Sequence, residues 1–336
     1  MKLRPLIFIL FLLPGMPSLA GEDGRSHTLR PVNTYSIVAR DPETGQLGVA
    51  VQSHWFSVGQ LVPWAEAGVG AVATQSFVEP AYGPLGLELM RNGRSAEQAL
   101  QALVSTDPGE AVRQVAMIDA KGTVAAHTGS LAIEAAGHQL GSNYSVQANL
   151  MDQPTVWPAM AKAFESTQGD LADRLLAALV AAQDEGGDIR GKQSAAILVV
   201  AGESTGAPWK DRLFDLRVED HPEPVKELSR LVTLQRAYNA LNHGDEAVAA
   251  GTIDLALDYY QQALSIVPDE ATNGEAAFWV GITLVSIDRE ADAMPYLRRA
   301  NAQDPRWAEL LARLPASNLL PDDDALIERL TRGMQK

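Results

Sequence analysis

An α+β fold is predicted for about two thirds of this 336-residue chain, with an all-helical segment after it. Three observations predict it. Alternating, β-branched runs come in clusters. Helical patterns come in pairs between those clusters. Strand patterns stop after His221-Pro222-Glu223-Pro224. The order strands, two helices, strands, two helices, strands suits two sheets packed face to face with helix pairs outside. It does not suit the regular alternation of a doubly wound parallel sheet.

The first two strands, about Tyr35–Ala39 and Leu47–Ser53, are joined by the turn Asp41-Pro42-Glu43-Thr44-Gly45. The stretch from Val58 to Ala67 leads to a third strand, Gly68–Ser76. A helix over Pro84–Arg91 follows, then one opened by Ser95-Ala96-Glu97-Gln98, a capping-box pattern. Strands resume at Arg113–Asp119 and Thr123–Thr128 across the turn Ala120-Lys121-Gly122, and Tyr144–Leu150 is extended. Helices at Pro158–Ser166 and Leu171–Gln183 precede strands at Ser194–Ala201 and Leu213–Val218.

The remaining segment carries an internal repeat. Ala256-Leu257-Asp258-Tyr259-Tyr260-Gln261-Gln262-Ala263 parallels Ala293-Met294-Pro295-Tyr296-Leu297-Arg298-Arg299-Ala300 at an offset of 37 residues, and both runs lead to a proline, Pro268 and Pro305. The offset is close to the ~34 of tetratricopeptide repeats, and small Ala256/Ala263 and Ala293/Ala300 around large Tyr260/Leu297 match the second helix of that motif. Gly281 and Leu284 fit the first helix of the second repeat. Two repeats are few for a free-standing solenoid, so packing on the first domain or on another subunit is expected. Asp322-Asp323-Asp324 reads as a solvated helix start.

Lys2 and Arg4 precede a short apolar run, Pro5–Leu13, and Ser18-Leu19-Ala20 offers small residues for a signal peptidase. The expectation is a signal peptide over 1–20, a polar leader over 21–33, a first domain over 34–230 and a helical domain over 231–336. Periplasmic or secreted location follows. No other run is apolar enough to span a bilayer, so no membrane anchor is expected. With 42 acidic against 27 basic residues and a net charge of −15, nucleic acid is excluded as a partner. The chain has no cysteine, which excludes disulfides and thiol catalysis. No cofactor is implied, and no His/Asp/Glu cluster has the spacing of a zinc site.

Across residues 34 to 230 the sequence resembles the domain-of-unknown-function family 1028, related in fold to the N-terminal-nucleophile (Ntn) hydrolases. The resemblance is carried by Thr34-Tyr35-Ser36-Ile37-Val38-Ala39-Arg40-Asp41 with Gly48-Val49-Ala50-Val51, and by Gly68-Val69-Gly70-Ala71-Val72-Ala73-Thr74-Gln75. Further matches are Tyr82-Gly83-Pro84, Arg113-Gln114-Val115, Thr128-Gly129-Ser130 and Tyr144-Ser145-Val146-Gln147-Ala148-Asn149-Leu150-Met151. The last are Gly187-Asp188-Ile189-Arg190-Gly191-Lys192-Gln193-Ser194 and Asp215-Leu216-Arg217-Val218-Glu219-Asp220-His221-Pro222. The resemblance implies a four-layer αββα sandwich with Thr34 as nucleophile. Once freed, the α-amine of Thr34 would serve as base, because it titrates near neutrality. Asp188 would orient and stabilise the protonated amine, and Asn149 would donate to a developing oxyanion. Gln52, Ser53, His54, Gln75, Arg190 and Ser194 would line the substrate site. The Arg30-Pro31-Val32-Asn33 segment stands between Ala20 and Thr34, so a second cleavage is required. Val62-Pro63-Trp64-Ala65-Glu66-Ala67 lacks the lysine that proteasome-like members place there. Ser36 shares the strand face of Thr34 and competes for the role of nucleophile.

Other conspicuous residues read as structural. His127 and His138 are satisfied histidines, Thr128-Gly129-Ser130 is a turn after a strand, and Trp55 and Trp64 fill core edges. Two function classes follow. One is an exported amidohydrolase or peptidase-like enzyme that cleaves an amide bond of a small molecule, peptide or cell-wall fragment. The other is a non-catalytic binding protein whose helical repeats take a protein or peptide partner, with self-association possible in either case.

Overall fold

In a computed structural model, residues 31–336 are described. The expected signal peptide and most of the expected leader lie outside them. In chain order the elements of the first part are β1 (Thr34–Arg40), β2 (Leu47–Ser53), β3 (Pro63–Glu66), β4 (Gly70–Ser76), α1 (Tyr82–Arg91) and α2 (Ala96–Val104). Next come β5 (Arg113–Asp119), β6 (Val124–Thr128), β7 (Gly137–Gly141), β8 (Tyr144–Ala148), α3 (Val156–Ser166) and α4 (Leu171–Asp184). They end with β9 (Ser194–Val200), the single turn α5 (Pro208–Asp211) and β10 (Arg212–Val218). Helices α6 (Pro224–Ala249), α7 (Ile253–Ile266), α8 (Glu275–Ser286), α9 (Glu290–Gln303), α10 (Arg306–Leu311) and α11 (Asp324–Met334) complete the chain. The chain is thus mixed α+β with antiparallel sheets and a helical C-terminal region, as expected. Two strands were not anticipated. β3 pairs with β4 as an edge, and β7 pairs with β8 at the opposite rim of the other sheet.

The six-stranded sheet runs β10-β9-β2-β1-β8-β7 and the four-stranded sheet β3-β4-β5-β6. Side chains alternate between the two faces of a strand, and that alternation assigns every layer. Val38, Val49 and Val51 of the larger sheet meet Ala71, Ala73, Ala116 and Ile118 of the smaller one in a buried layer between the sheets. The opposite parity of the larger sheet, including Tyr35, Ile37, Val146 and Ile197, packs against α3, α4 and the first turns of α6. Helices α1 and α2 cover the outer face of the smaller sheet through Tyr82, Leu87, Met90, Ala99 and Leu100.

Local chemistry follows the sequence closely. The capping box at Ser95 forms, with Ser95 Oγ accepting from Gln98 N at 3.3 Å and Gln98 Oε1 accepting from Ser95 N at 3.2 Å. Asp323 caps α11 by accepting from the amides of Ala325 and Leu326 at 2.9 and 3.2 Å.

The helical region has its own core around Tyr260, Phe278 and Leu297. At the noted offset of 37 residues, all six of Ala256, Tyr260, Ala263, Ala293, Leu297 and Ala300 are buried. A second pairing obeys the same offset. A Cβ at Gly244 of α6 would lie 2.3 Å from the ring of Tyr260 on α7, and one at Gly281 of α8 would lie 2.6 Å from Leu297 on α9. Each first helix therefore carries a glycine under the large residue of its second helix, which lets the pair approach closely. Helix α6 joins the two regions. Its Val225, Leu228 and Val232 complete the core beside the larger sheet, and its Ala240, Leu241 and Ala247 belong to the helical core. Arg236, between those groups, binds both carboxylate oxygens of Asp170 at 2.7 Å and Asp173 at 2.9 Å at the start of α4. The boundary drawn at residue 230 from the sequence falls inside this continuous helix.

Candidate functional site

One end of the layer between the sheets is polar. Positions of the same parity as Val38, Ala73 and Ala116 are occupied there by Thr34, Ser36, Gln75 and Gln114, and β8 adds Ser145 and Gln147. All are fully buried. A buried polar group must find a partner, and these find one another. Ser145 Oγ donates to Gln147 Oε1 at 2.9 Å, and Gln147 Nε2 donates to Ser36 Oγ at 2.6 Å. Ser36 Oγ in turn donates to Gln75 Oε1 at 2.6 Å, and Gln75 Nε2 to Gln114 Oε1 at 2.6 Å. Gln114 Nε2 reaches Thr128 Oγ1 and the carbonyl of Ala148, both at 2.9 Å. Thr128 Oγ1 lies 2.8 Å from His138 Nδ1. Burial, and then the proximity of His127, hold the His138 pKa below its ordinary value.

Thr34 begins β1 at the rim of this network. Its carbonyl accepts from the amide of Asn149 at 3.1 Å, from Gln75 Nε2 at 3.2 Å and from Asn149 Nδ2 at 3.4 Å. Its hydroxyl donates to the carbonyl of Val32 at 2.8 Å. The preceding carbonyl, that of Asn33, sits under two converging donors: the Ser53 hydroxyl and Arg190 Nη2, the latter at 2.9 Å.

Arg190 is held by Asp188, which is almost fully buried. The Asp188 carboxylate accepts from Arg190 N at 2.9 Å, Nε at 3.0 Å and Nη2 at 2.7 Å, and from the amide of His54 at 3.1 Å. A bidentate pair of this kind fixes the guanidinium plane. The turn that presents it has Gly187 at φ +64° and Gly191 at φ +108°, where an L side chain is strained. Asp188 also acts on its surroundings: burial, then its charge and that of Asp184, push the Tyr35 phenol well above its usual range.

Asn149 and Gln75 therefore hold the Thr34 carbonyl, while Ser53 and Arg190, itself held by Asp188, hold the Asn33 carbonyl, so the two hydrogen-bonded sets meet at the Asn33–Thr34 peptide. The rest of the expected site is arranged differently. His54, with Pro31, Asn33, Trp55, Ile133, Leu150 and Arg190, lines a cleft of about 390 Å³. Ser194 Oγ donates to the carbonyl of Trp55 and accepts from Val58 N at 3.1 Å, so it ties down the loop after β2. Gln52 has the parity of Ala50 and pairs with Tyr35, which puts it on the helix-facing side of β2, opposite Ser53. Its buried amide has no partner among the described residues. Gln114, Gln147 and Ser145, which no chemical argument singled out in the sequence, hold the set together. The signal for them was polar side chains at inward strand positions. Among the described residues no group of three His, Cys, Asp or Glu side chains could hold a metal ion, and no helix is long and apolar enough to cross a membrane.

The model of a family described as "Family of unknown function (DUF1028)" matches residues 34–228. The chain belongs to this family. The match starts at Thr34, the first residue of β1, and ends within α6. The crystal structure of protein SPO2555 from Silicibacter pomeroyi, described with the same family model, is 32% identical with a TM-score of 0.53. That similarity covers 59% of this chain and 87% of the other. No curated protein matches the sequence.

Proposed function

We propose that the chain is an exported amide hydrolase of the N-terminal-nucleophile kind, acting through Thr34 after cleavage between Asn33 and Thr34. The observation that carries this reading is the convergence of the Ser53 hydroxyl and Arg190 Nη2 on the Asn33 carbonyl oxygen, directly before Thr34. Donors aimed at an acyl oxygen stabilise the negative charge that develops there during acyl transfer. The four-layer order of helices and sheets supports an Ntn-like sandwich, with Thr34 at the start of a central strand. The glycines under Tyr260 and Leu297 support a tetratricopeptide-like helical domain, which would offer a surface for a protein or peptide. The Lys2/Arg4 start and Ser18-Leu19-Ala20 support a periplasmic or secreted location.

In this mechanism the freed α-amine of Thr34 takes the hydroxyl proton as Oγ1 attacks the carbonyl carbon of the substrate amide. The carbonyl oxygen takes the place of the Asn33 oxygen on Ser53 and Arg190. The tetrahedral intermediate expels the amine, which recovers the proton from the ammonium, and a water molecule then hydrolyses the Thr34 ester. Asp188 keeps Arg190 aimed. Asn149 and Gln75 hold the Thr34 carbonyl, and so the strand end that presents the hydroxyl.

The test is the intact mass of protein from the exported fraction, followed by hydrolysis assays on a panel of peptide amides. The mature chain should begin at Thr34. Thr34→Ala should abolish hydrolysis and Thr34→Ser retain part of it, with melting temperatures close to the parent. A mature chain that keeps residues 21–33 and hydrolyses no amide would overturn the reading in favour of a binding role.

A further inference from the structure

Residues 31–33 are held as a bound peptide is held. Val32 exchanges both backbone hydrogen bonds with Ser76, at 2.7 and 3.0 Å, extending the end of β4 by one antiparallel bridge. Its side chain is buried in the layer between the sheets, in the cluster that includes Val58, Val62 and Ala73. The carbonyls on either side of it, those of Pro31 and Asn33, both accept from the Arg190 guanidinium, at 3.4 and 2.9 Å. Main-chain pairing with a pocket for alternate side chains is the way a strand-adding peptide is recognised.

The covalent geometry gives this segment a meaning. In the uncleaved chain the Asn33 acyl carbon is bonded to Thr34 N. In an acyl-enzyme the substrate acyl carbon would be bonded to Thr34 Oγ1, three bonds further along the same residue. The path of residues 31–33 is therefore the path of the acyl group. We infer that Pro31–Asn33 fill the acyl side of the Thr34 site and keep it closed, and that the substrate is a peptide whose residue next to the scissile one is a buried aliphatic. This inference rests on the Thr34 reading for its chemistry and on binding for its test.

The leader is also a poor occupant at one position. Both side-chain polar atoms of Asn33 are buried without a partner among the described residues, while Trp55, Ile133 and Leu150 stand in the same cleft. Exposed Phe56, Leu131 and Ile189 each lie within two residues of a cleft-lining side chain. An apolar residue at the Asn33 position avoids burying an unpaired amide, so it should bind about ten-fold more tightly. A cleaved leader then leaves readily, and an apolar peptide takes its place.

The experiment compares the chain beginning at Gly21 with the chain beginning at Thr34, released from a fusion by a protease that leaves no extra residue. The probes are N-acetylated peptide acids, Pro-Val-Asn, Pro-Val-Leu and Pro-Asp-Leu, titrated by calorimetry. Pro-Val-Leu should bind only the Thr34-initiated chain, about ten-fold more tightly than Pro-Val-Asn, and Pro-Asp-Leu should not bind. Arg190→Gln should weaken binding of Pro-Val-Leu. Should the shortened chain fail to fold, Val32→Asp in the Gly21-initiated chain displaces the leader with every later residue in place, and that variant should admit Pro-Val-Leu. Equal binding to the leader-bearing parent, or no binding to a folded leader-free or Val32→Asp chain, would overturn the inference. Binding of Pro-Val-Leu with no hydrolysis of the matching anilide leaves it standing and refutes the hydrolase reading instead. Hydrolysis that ignores the aliphatic position refutes the inference alone.

Discussion

Two glutamines at zero exposure, Gln114 and Gln52, should respond to the same substitution with opposite signs. Methionine matches glutamine in length and has an unbranched, adaptable chain, so Gln→Met removes the amide while nearly preserving volume. At Gln114 the loss falls on several partners at once. Gln75 Nε2 and Asn149 Nδ2 lose their shortest acceptor, at 2.6 and 2.9 Å, and keep only the Thr34 carbonyl and, for Gln75, that of Gln147. Thr128 Oγ1 and the carbonyl of Ala148 lose a donor at 2.9 Å. A buried group left unsatisfied costs about 1–3 kcal/mol. The two stranded amides keep weaker contacts, so the lower end applies to each, and with the carbonyl and hydroxyl at the same lower end the sum is about 4 kcal/mol. For a domain of this size that corresponds to a melting temperature lower by roughly 8–16 °C. At Gln52 the amide has no partner to strand, and its removal relieves a buried polar group, so Gln52→Met should be neutral or more stable by up to about 2 kcal/mol. Urea titrations of both variants against the parent, followed by circular dichroism, give the two changes. A Gln114→Met variant within about 0.5 kcal/mol of the parent, or a Gln52→Met variant as damaged as Gln114→Met, would refute the reasoning.

Two further predictions follow from packing and from titration. A Cβ at Gly83 would lie 2.3–2.4 Å from three atoms of the Trp64 ring, whose indole is fixed by a 3.0 Å bond to the carbonyl of Leu61, so Gly83→Ala should loosen α1 from β3. The readout is a lower melting temperature together with a red shift of Trp64 fluorescence. The His138 pKa is depressed by burial and then by His127, so the unfolded chain binds a proton at this position more readily than the folded one. Stability tied to it is fully present above the ordinary histidine value near ~6.5 and is lost as pH falls towards the depressed folded value. His138→Gln should remove that part of the slope between about pH 7.5 and 5.5 in melts of variant and parent, and an unchanged slope would contradict it.

The strands most legible in the sequence were those with long, β-branched apolar runs. β1, β2, β5 and β9 face packed layers on both sides, and their apolar runs are long. β3 has four residues and begins with Pro63, and β7 is bounded by glycines with its middle largely exposed. Both are sheet edges, where half the pairing and half the burial are absent, so little of the pattern that announces a strand survives. Helix α6 was harder for another reason. Its apolar positions serve one core through Val225, Leu228 and Val232 and a different core through Ala240, Leu241 and Ala247, so no single stripe runs along it. At the site, Thr34, Asn149 and Arg190 stood out through resemblance. Gln114 and Gln147 did not, because a glutamine in a strand looks like a solvent-facing residue until the partner strand is known. Their parity with Ala116 and Ser145 is what turns them inward.

A helix that completes two cores also makes a thermodynamic conduit. A partner that clasped the helical region and held the far half of α6 would also hold Val232 and Arg236 against α4, and so would raise the free energy needed to open the sheet layer beside it. Such a coupling would be reciprocal, as any linkage between two equilibria must be. A molecule seated near Thr34 that tightens the larger sheet would, by the same factor, tighten whatever the repeats hold. Amide exchange along β9 and β10, read with and without a repeat-bound partner, would measure that factor without touching the chemistry.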